Sequence, residues 1–502
     1  MAKETDQSAA DRGPADHRES GRGLAPLSLF VGLATGGAVY AIIEYWLDGP
    51  KPTALAVVTL QSVIAFSAAW LLLAERRDFL RPLLPAALIA GVLAGPSWFM
   101  AAREQQANFD GMEAFPFIFW FALSAPLAFY LMLSLAKAAL ETGAPPKYDS
   151  LFFHGLTLPL VAGGAKLFAG LALALLFAWA ALLKQMDVAF FSELFDEPWF
   201  ILPFLGAIGG LSIAMIRGQQ AVLGALRFML LLFSRIAMPI MALFSITFLI
   251  VLALKGPGAI LNADVFFGRP AGIVLFLGFV GMLIFNGVYQ NGEGAPPPAW
   301  LRLSTIVAIA SFPVYTGLAF HGLWTRVAEY GLTPTRIGGL AMTALAFAYS
   351  VVLVGGLFTE ANWKAKRWMP LVAPLNTLMA AFWVVVLVAL SSPLLNPWAI
   401  SAKSQENLLL SGAVNARNFD FGYLKFRLGE YGDAALTRLE NASDHPQAAE
   451  IREGVARARA ATSLWEYQHP EIAEPVADAS PETAQPGPME LEFNPEQSPP
   501  EN

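Results

Sequence analysis

Long apolar stretches separated by short polar breaks run along this chain from Leu27 to Ser391. Eleven of them, at 27–47, 54–74, 82–102, 115–136, 167–186, 198–216, 236–254, 270–289, 303–323, 337–358 and 369–391, are each about 20 residues long. That is the length an α-helix needs to cross a hydrocarbon core of about 30 Å. The first run is longer than the core of a cleaved signal, so it reads as a retained anchor. Two further segments, 150–165 with His154 and Pro159 and 221–234 with Arg227, are shorter and read as interfacial helices. Arg227 and Arg235 would form the basic edge of the second, facing anionic headgroups.

After the last run the pattern changes. Residues 393–468 alternate helix-like stretches with turn signals: a run over 405–410, a break at Gly412, a run over 419–439, then the start signal His445-Pro446 before a run over 447–461. Residues 469–502 are rich in Pro, Glu, Ala and Ser, and residues 1–26 are polar without periodicity, so both termini read as disordered. The fold class that follows is all-α: a polytopic transmembrane helical bundle over 27–392, a small α-helical extramembrane domain over 393–468, and disordered termini.

Composition agrees, with 56% hydrophobic and 14% charged residues and a mean hydropathy of +0.52, where soluble domains carry about 25% charged residues. Charge then sets the threading. With the N-terminus inside, 17 lysines and arginines fall in inner segments and 7 in outer loops. This favours a cytoplasmic N-terminus, and an odd number of spans puts the C-terminus on the periplasmic side of an inner membrane. The net charge of −7 belongs to the tail, since residues 393–502 hold 8 basic against 17 acidic residues.

Three polar stretches are familiar. They are Ser401-Ala-Lys-Ser-Gln405, Asn418-Phe-Asp-Phe-Gly-Tyr-Leu-Lys-Phe-Arg-Leu-Gly-Glu-Tyr-Gly432, and the turn Tyr330-Gly-Leu-Thr-Pro-Thr-Arg336 between two runs. Together with the stretch from Leu226-Arg227 to Pro239, they resemble the bacterial membrane family catalogued as domain of unknown function 4153. The likeness covers roughly residues 167–432. It implies a multi-pass bacterial membrane protein and brings no catalytic residue with it.

The residues themselves exclude several chemistries. The chain has no cysteine, which rules out disulfides, thiolate zinc sites and cysteine nucleophiles. Its five histidines are scattered, and neither a phosphate-binding loop nor a Gly-x-Ser-x-Gly element occurs. No metal or cofactor is therefore expected, and the only partners expected are the lipid bilayer and an envelope protein, with no nucleic acid.

Candidate sites come from ionisable and aromatic residues at the membrane rim. At 100° per residue, Tyr315, Ala319, Gly322, Arg326 and Glu329 share one helix face within about 80°. With His321, Arg336 and the acids Glu44 and Asp48 of the first run, they make a candidate polar rim cluster. The plainer alternatives are an interfacial Arg326–Glu329 pair flanked by the anchors Tyr315 and Trp324, and a solvated helix end at Glu44 and Asp48. In the tail, Phe419, Tyr423, Phe426 and Tyr431 form one aromatic face, either core or a docking face. Asn286, Asn376 and Gln61 inside the runs read as interhelical glue, and the glycines 206, 209, 210, 278 and 281 as close-packing positions. The functional expectation is a non-enzymatic component of envelope assembly or signalling. A secondary transporter of a small solute, or a membrane-embedded transferase acting on a lipid-linked substrate, are the alternatives. A midplane polar cavity would favour the transporter, an acid-lined rim cavity the transferase, and a filled bundle the scaffold.

Overall fold

In a computed structural model, the chain is described over residues 24–47, 53–75, 78–106, 115–261, 270–292, 296–359 and 368–469. Asp48, most of the N-terminal lead and the Pro-rich tail lie outside these residues. Among the described residues every regular element is helical. Ten helices are long and apolar enough to cross a membrane. They are α1 (Ala25–Ile42, prolonged by a π turn at Ile43–Leu47), α2 (Ala54–Leu73), α3 (Leu83–Gln106), α5 (Tyr148–Lys184), α7 (Pro198–Arg217), α8 (Gln220–Leu261), α9 (Pro270–Tyr289), α10 (Ala299–Tyr330), α11 (Pro334–Thr359) and α12 (Val372–Leu390). The remaining expected run lies in α4 (Phe115–Thr142). The short helix α6 (Phe190–Asp196) sits between α5 and α7.

The two segments read as separate interfacial helices are the leading parts of α5 and α8, which run on for 37 residues and, in α8, for 36 residues up to Gly256, whose φ of 75° breaks the helix before it resumes to Leu261. At 1.5 Å per residue both exceed a 30 Å core. Their leading parts pack together: Arg227 donates to Thr157 Oγ1 at 3.0 Å, and its guanidinium lies 4.1 Å above the Phe153 ring. Arg227 is thus used inside the protein. Because neither segment turns back, neither adds a crossing of its own.

Close packing explains the glycines. A Cβ on Gly32 would stand 2.1 Å from Gly206 O, one on Gly36 2.2 Å from Leu202 O, and one on Gly210 2.0 Å from Ser28 O. α1 and α7 therefore touch backbone to backbone. Gly281 similarly admits the Phe312 ring, whereas a Cβ on Gly209 would meet nothing within 4 Å. Large apolar side chains along α5 and α8, among them Leu167, Leu171, Phe228 and Phe244, point outward, as a lipid-facing surface requires.

The C-terminal domain comprises α13 (Pro397–Leu410), α14 (Phe421–Leu428), α15 (Glu430–Glu440), α16 (Ala448–Ala460) and α17 (Leu464–Gln468). Side chains start them: Asn396 accepts from Ala399 N, Asp420 from Tyr423 N, and Ser463 from Glu466 N. The run expected over 419–439 divides at Gly429, whose φ of 54° ends α14 and begins α15. The domain core, with Leu424, Leu436, Ile451 and Val455, also takes in Trp398 and, from α3, Phe99 and Met100. Domain and bundle therefore share one apolar cluster.

Candidate functional site

The turn from α10 into α11 is the hinge of the site. Gly331 closes α10 at φ 71°, a conformation L side chains avoid, and its N–H reaches back to Val327 O at 2.9 Å. Thr333 then accepts from Arg336 N at 3.3 Å, capping α11 behind Pro334. Such a turn leaves carbonyls without helical partners, and α13 supplies most of the donors. Gln405 Nε2 donates to Tyr330 O at 3.0 Å and to Leu332 O at 3.2 Å, and Ser401 Oγ donates to Leu332 O at 2.9 Å. Ser404 Oγ accepts from Leu332 N at 3.0 Å. From the other side, Arg336 Nη1 donates to Tyr330 O at 3.1 Å and to Gly331 O at 2.6 Å.

The aromatic face of the tail meets this knot. Tyr423 Oη and Ser401 Oγ lie 3.3 Å apart, and burial pushes the Tyr423 hydroxyl above its ordinary pKa. Phe419 and Phe426 are buried and Tyr431 packs against the same core, so the face proposed for docking is spent inside the chain. Glu406, 9% exposed, ties α13 to α15 through a fork: Arg438 Nε reaches Oε1 at 2.9 Å and Nη2 reaches Oε2 at 2.7 Å. That pairing raises the Arg438 pKa. Lys425 Nζ closes the end of α16 by donating to Arg459 O at 2.9 Å and Ala461 O at 2.7 Å.

Beside the knot a cavity of about 590 Å³ opens between the ends of α8 and α9 and the facing sides of α10 and α11. His321, Arg326, Glu329 and Arg336 line it; Glu44 does not. Glu44 is exposed on the π turn after α1, near Tyr40 and Glu197. Tyr315 lies deeper, 2% exposed, and donates to Ser245 Oγ at 3.0 Å. Trp324 is exposed and stacks on Phe320. Arg326 is half-buried and makes no hydrogen bond or ion pair among the described residues. Among the described residues, two guanidiniums and an imidazole stand against one carboxylate on this wall, a balance that suits an anion. Among the described residues no three His, Asp or Glu side chains converge as metal ligands would.

A second polar cluster lies toward the opposite end. Asn376 Nδ2 donates to Tyr148 Oη at 2.8 Å and to Asn286 Oδ1 at 2.9 Å, while Tyr349 Oη donates to Asn376 Oδ1 at 2.8 Å. Four helices, α5, α9, α11 and α12, are joined there. The two asparagines announced such a role; Tyr148 and Tyr349 did not, since each is an ordinary rim or core aromatic until its neighbours are known.

Comparison of the chain with family models, curated proteins and solved structures finds no match to any of them.

Proposed function

We propose that this is a scaffold or signalling component of a bacterial envelope, in which the membrane bundle holds the C-terminal helical domain in one orientation for an envelope partner. The observation that carries the reading is the knot of Ser401, Ser404, Gln405 and Arg336 around the Tyr330–Leu332 backbone. A turn bound from two sides in this way is a rigid mount. Further support comes from the packed interior of α8–α11, where Phe285, Ile309, Phe312 and Leu353 are almost fully buried. The distribution of basic residues supports a cytoplasmic N-terminus and a periplasmic domain.

The resemblance to the domain of unknown function 4153 family belongs to the same proposal. Its Tyr330–Arg336 turn, its Ser401–Gln405 segment and Tyr423 of its Asn418–Gly432 segment are the parts that meet in the knot. One observation favours a second reading: Arg326, without a hydrogen bond or ion pair among the described residues, in a 590 Å³ cavity suits a transporter or receptor of a small anionic solute.

Complementation of a gene deletion separates the two. The Ser401→Ala/Gln405→Ala double variant should insert, release the domain to limited proteolysis, and fail to complement. Arg326→Gln should complement. Full complementation by the double variant with its domain released, together with failure of Arg326→Gln, would replace the scaffold reading with the solute one.

A further inference from the structure

At the end of the bundle opposite the C-terminal domain, a cavity of about 520 Å³ opens between α8, the end of α9 and the start of α10. Among the described residues, its wall carries one cation, Arg235, and no carboxylate. Arg235 is exposed and makes no hydrogen bond or ion pair among the described residues. Other cations among the described residues are engaged: Arg227 by Thr157 and Phe153, Arg217 by Leu71 O at 2.8 Å, and Lys137 by Glu75.

Trp368 forms part of the same wall. It is 4% exposed, and its Nε1–H has no acceptor among the described residues. An indole N–H can only donate, so a buried one without an acceptor among the described residues leaves a donor for an oxygen that those residues do not supply. Outward from Arg235, Leu232, Ile236 and Ile240 are 43%, 59% and 51% exposed on α8. A ligand for this place needs an anionic oxygen at one end and apolar length at the other.

We propose that this cavity holds the phosphodiester headgroup of an anionic phospholipid, with its acyl chains along the outer face of α8. The guanidinium meets the negative charge, and the indole N–H supplies a second donor to the phosphate oxygens. Inorganic phosphate offers the same oxygens but leaves the apolar strip of α8 uncovered.

The test is thermal unfolding of the full chain in a neutral detergent, titrated with dioctanoyl-phosphatidylglycerol, dioctanoyl-phosphatidylcholine or inorganic phosphate. Phosphatidylglycerol should give a saturable rise in Tm and phosphatidylcholine none. The midpoint concentration should increase at least about tenfold in Arg235→Gln and in Trp368→Phe. Arg227→Gln, on the same helix, should keep the wild-type midpoint. An equal rise with phosphatidylcholine, or an unchanged midpoint in Arg235→Gln, would overturn the site. The same saturable rise with inorganic phosphate alone would overturn its assignment to a lipid.

Discussion

Gly331 carries two constraints at once. Its φ of 71° penalises any side chain, and a Cβ would stand 2.8 Å from Gln405 Nε2. Gly331→Ala should therefore cost about 2 kcal/mol or more, from backbone strain and from pushing Gln405 off its carbonyls. Gln405→Ala should cost less, about 1 kcal/mol, because Tyr330 O keeps Arg336 and Leu332 O keeps Ser401. Detergent-solubilised unfolding curves of the two variants give the ranking; a Gly331→Ala chain as stable as the parent would remove the knot from the account. Sequence showed both polar motifs but not that they meet. The groups Gln405 and Ser401 recognise are main-chain carbonyls, which every residue has, so nothing in the letters marks Tyr330 and Leu332 as their acceptors. Arg326 and Glu329, by contrast, share one helix face by spacing alone, because one face of one helix is local information, whereas His321 lies off that face and only the fold brings it to the same cavity. Glu44 lies elsewhere because its position depends on how α1 packs, which spacing does not encode.

Among elements, the α1–α7 pair depends most on small residues. Gly206→Val places branched carbon against Gly32 O, where even a Cβ would be at 2.2 Å, so the helices must part. The expected loss is about 3 kcal/mol, with poor yield of folded protein in detergent. Gly209→Val, on the open side of the same helix, should be tolerated, and equal behaviour of the two would refute the packing. At α17, Glu466 Oε2 accepts from Thr462 Oγ1 at 2.5 Å and from Thr462 N at 2.6 Å, and the hydroxyl contact leads in holding its pKa below the ordinary carboxylate value. The sign follows: a carboxyl depressed in the fold stabilises α17 above the unfolded pKa and loses that contribution as pH falls through the folded one. A spin label at Gln468→Cys should therefore become mobile on acidification below the usual carboxylate range, and Glu466→Gln should be mobile at neutral pH as well. Glycine content in 198–216 announced close packing, but its partner Gly32 is about 170 residues away and only the fold supplies it. The division at Gly429 was hidden for a different reason: the apolar positions on either side keep a helical pattern across it.

For the whole molecule, hydropathy sufficed to find the membrane helices because the bilayer imposes length and composition on each one separately. It failed where a helix outruns the bilayer: the leading parts of α5 and α8 are too short to cross alone, and that each runs on into the following span shows only in the fold, where Arg227 packs against Thr157 and Phe153. It also could not show that the C-terminal domain shares its core with Phe99 and Met100 of α3. That shared core and the Tyr330–Leu332 knot make the central claim, which is that bundle and domain form one rigid unit. The absence of cysteine from the sequence allows a direct measurement. Thr335→Cys on α11 and Ala434→Cys on α15, both exposed, can be spin-labelled in the full chain in nanodiscs and their separation measured by pulsed dipolar spectroscopy. A single narrow distance distribution that broadens in Ser401→Ala/Gln405→Ala is the predicted result; a broad distribution in the unmodified knot, unchanged by that double substitution, would contradict it.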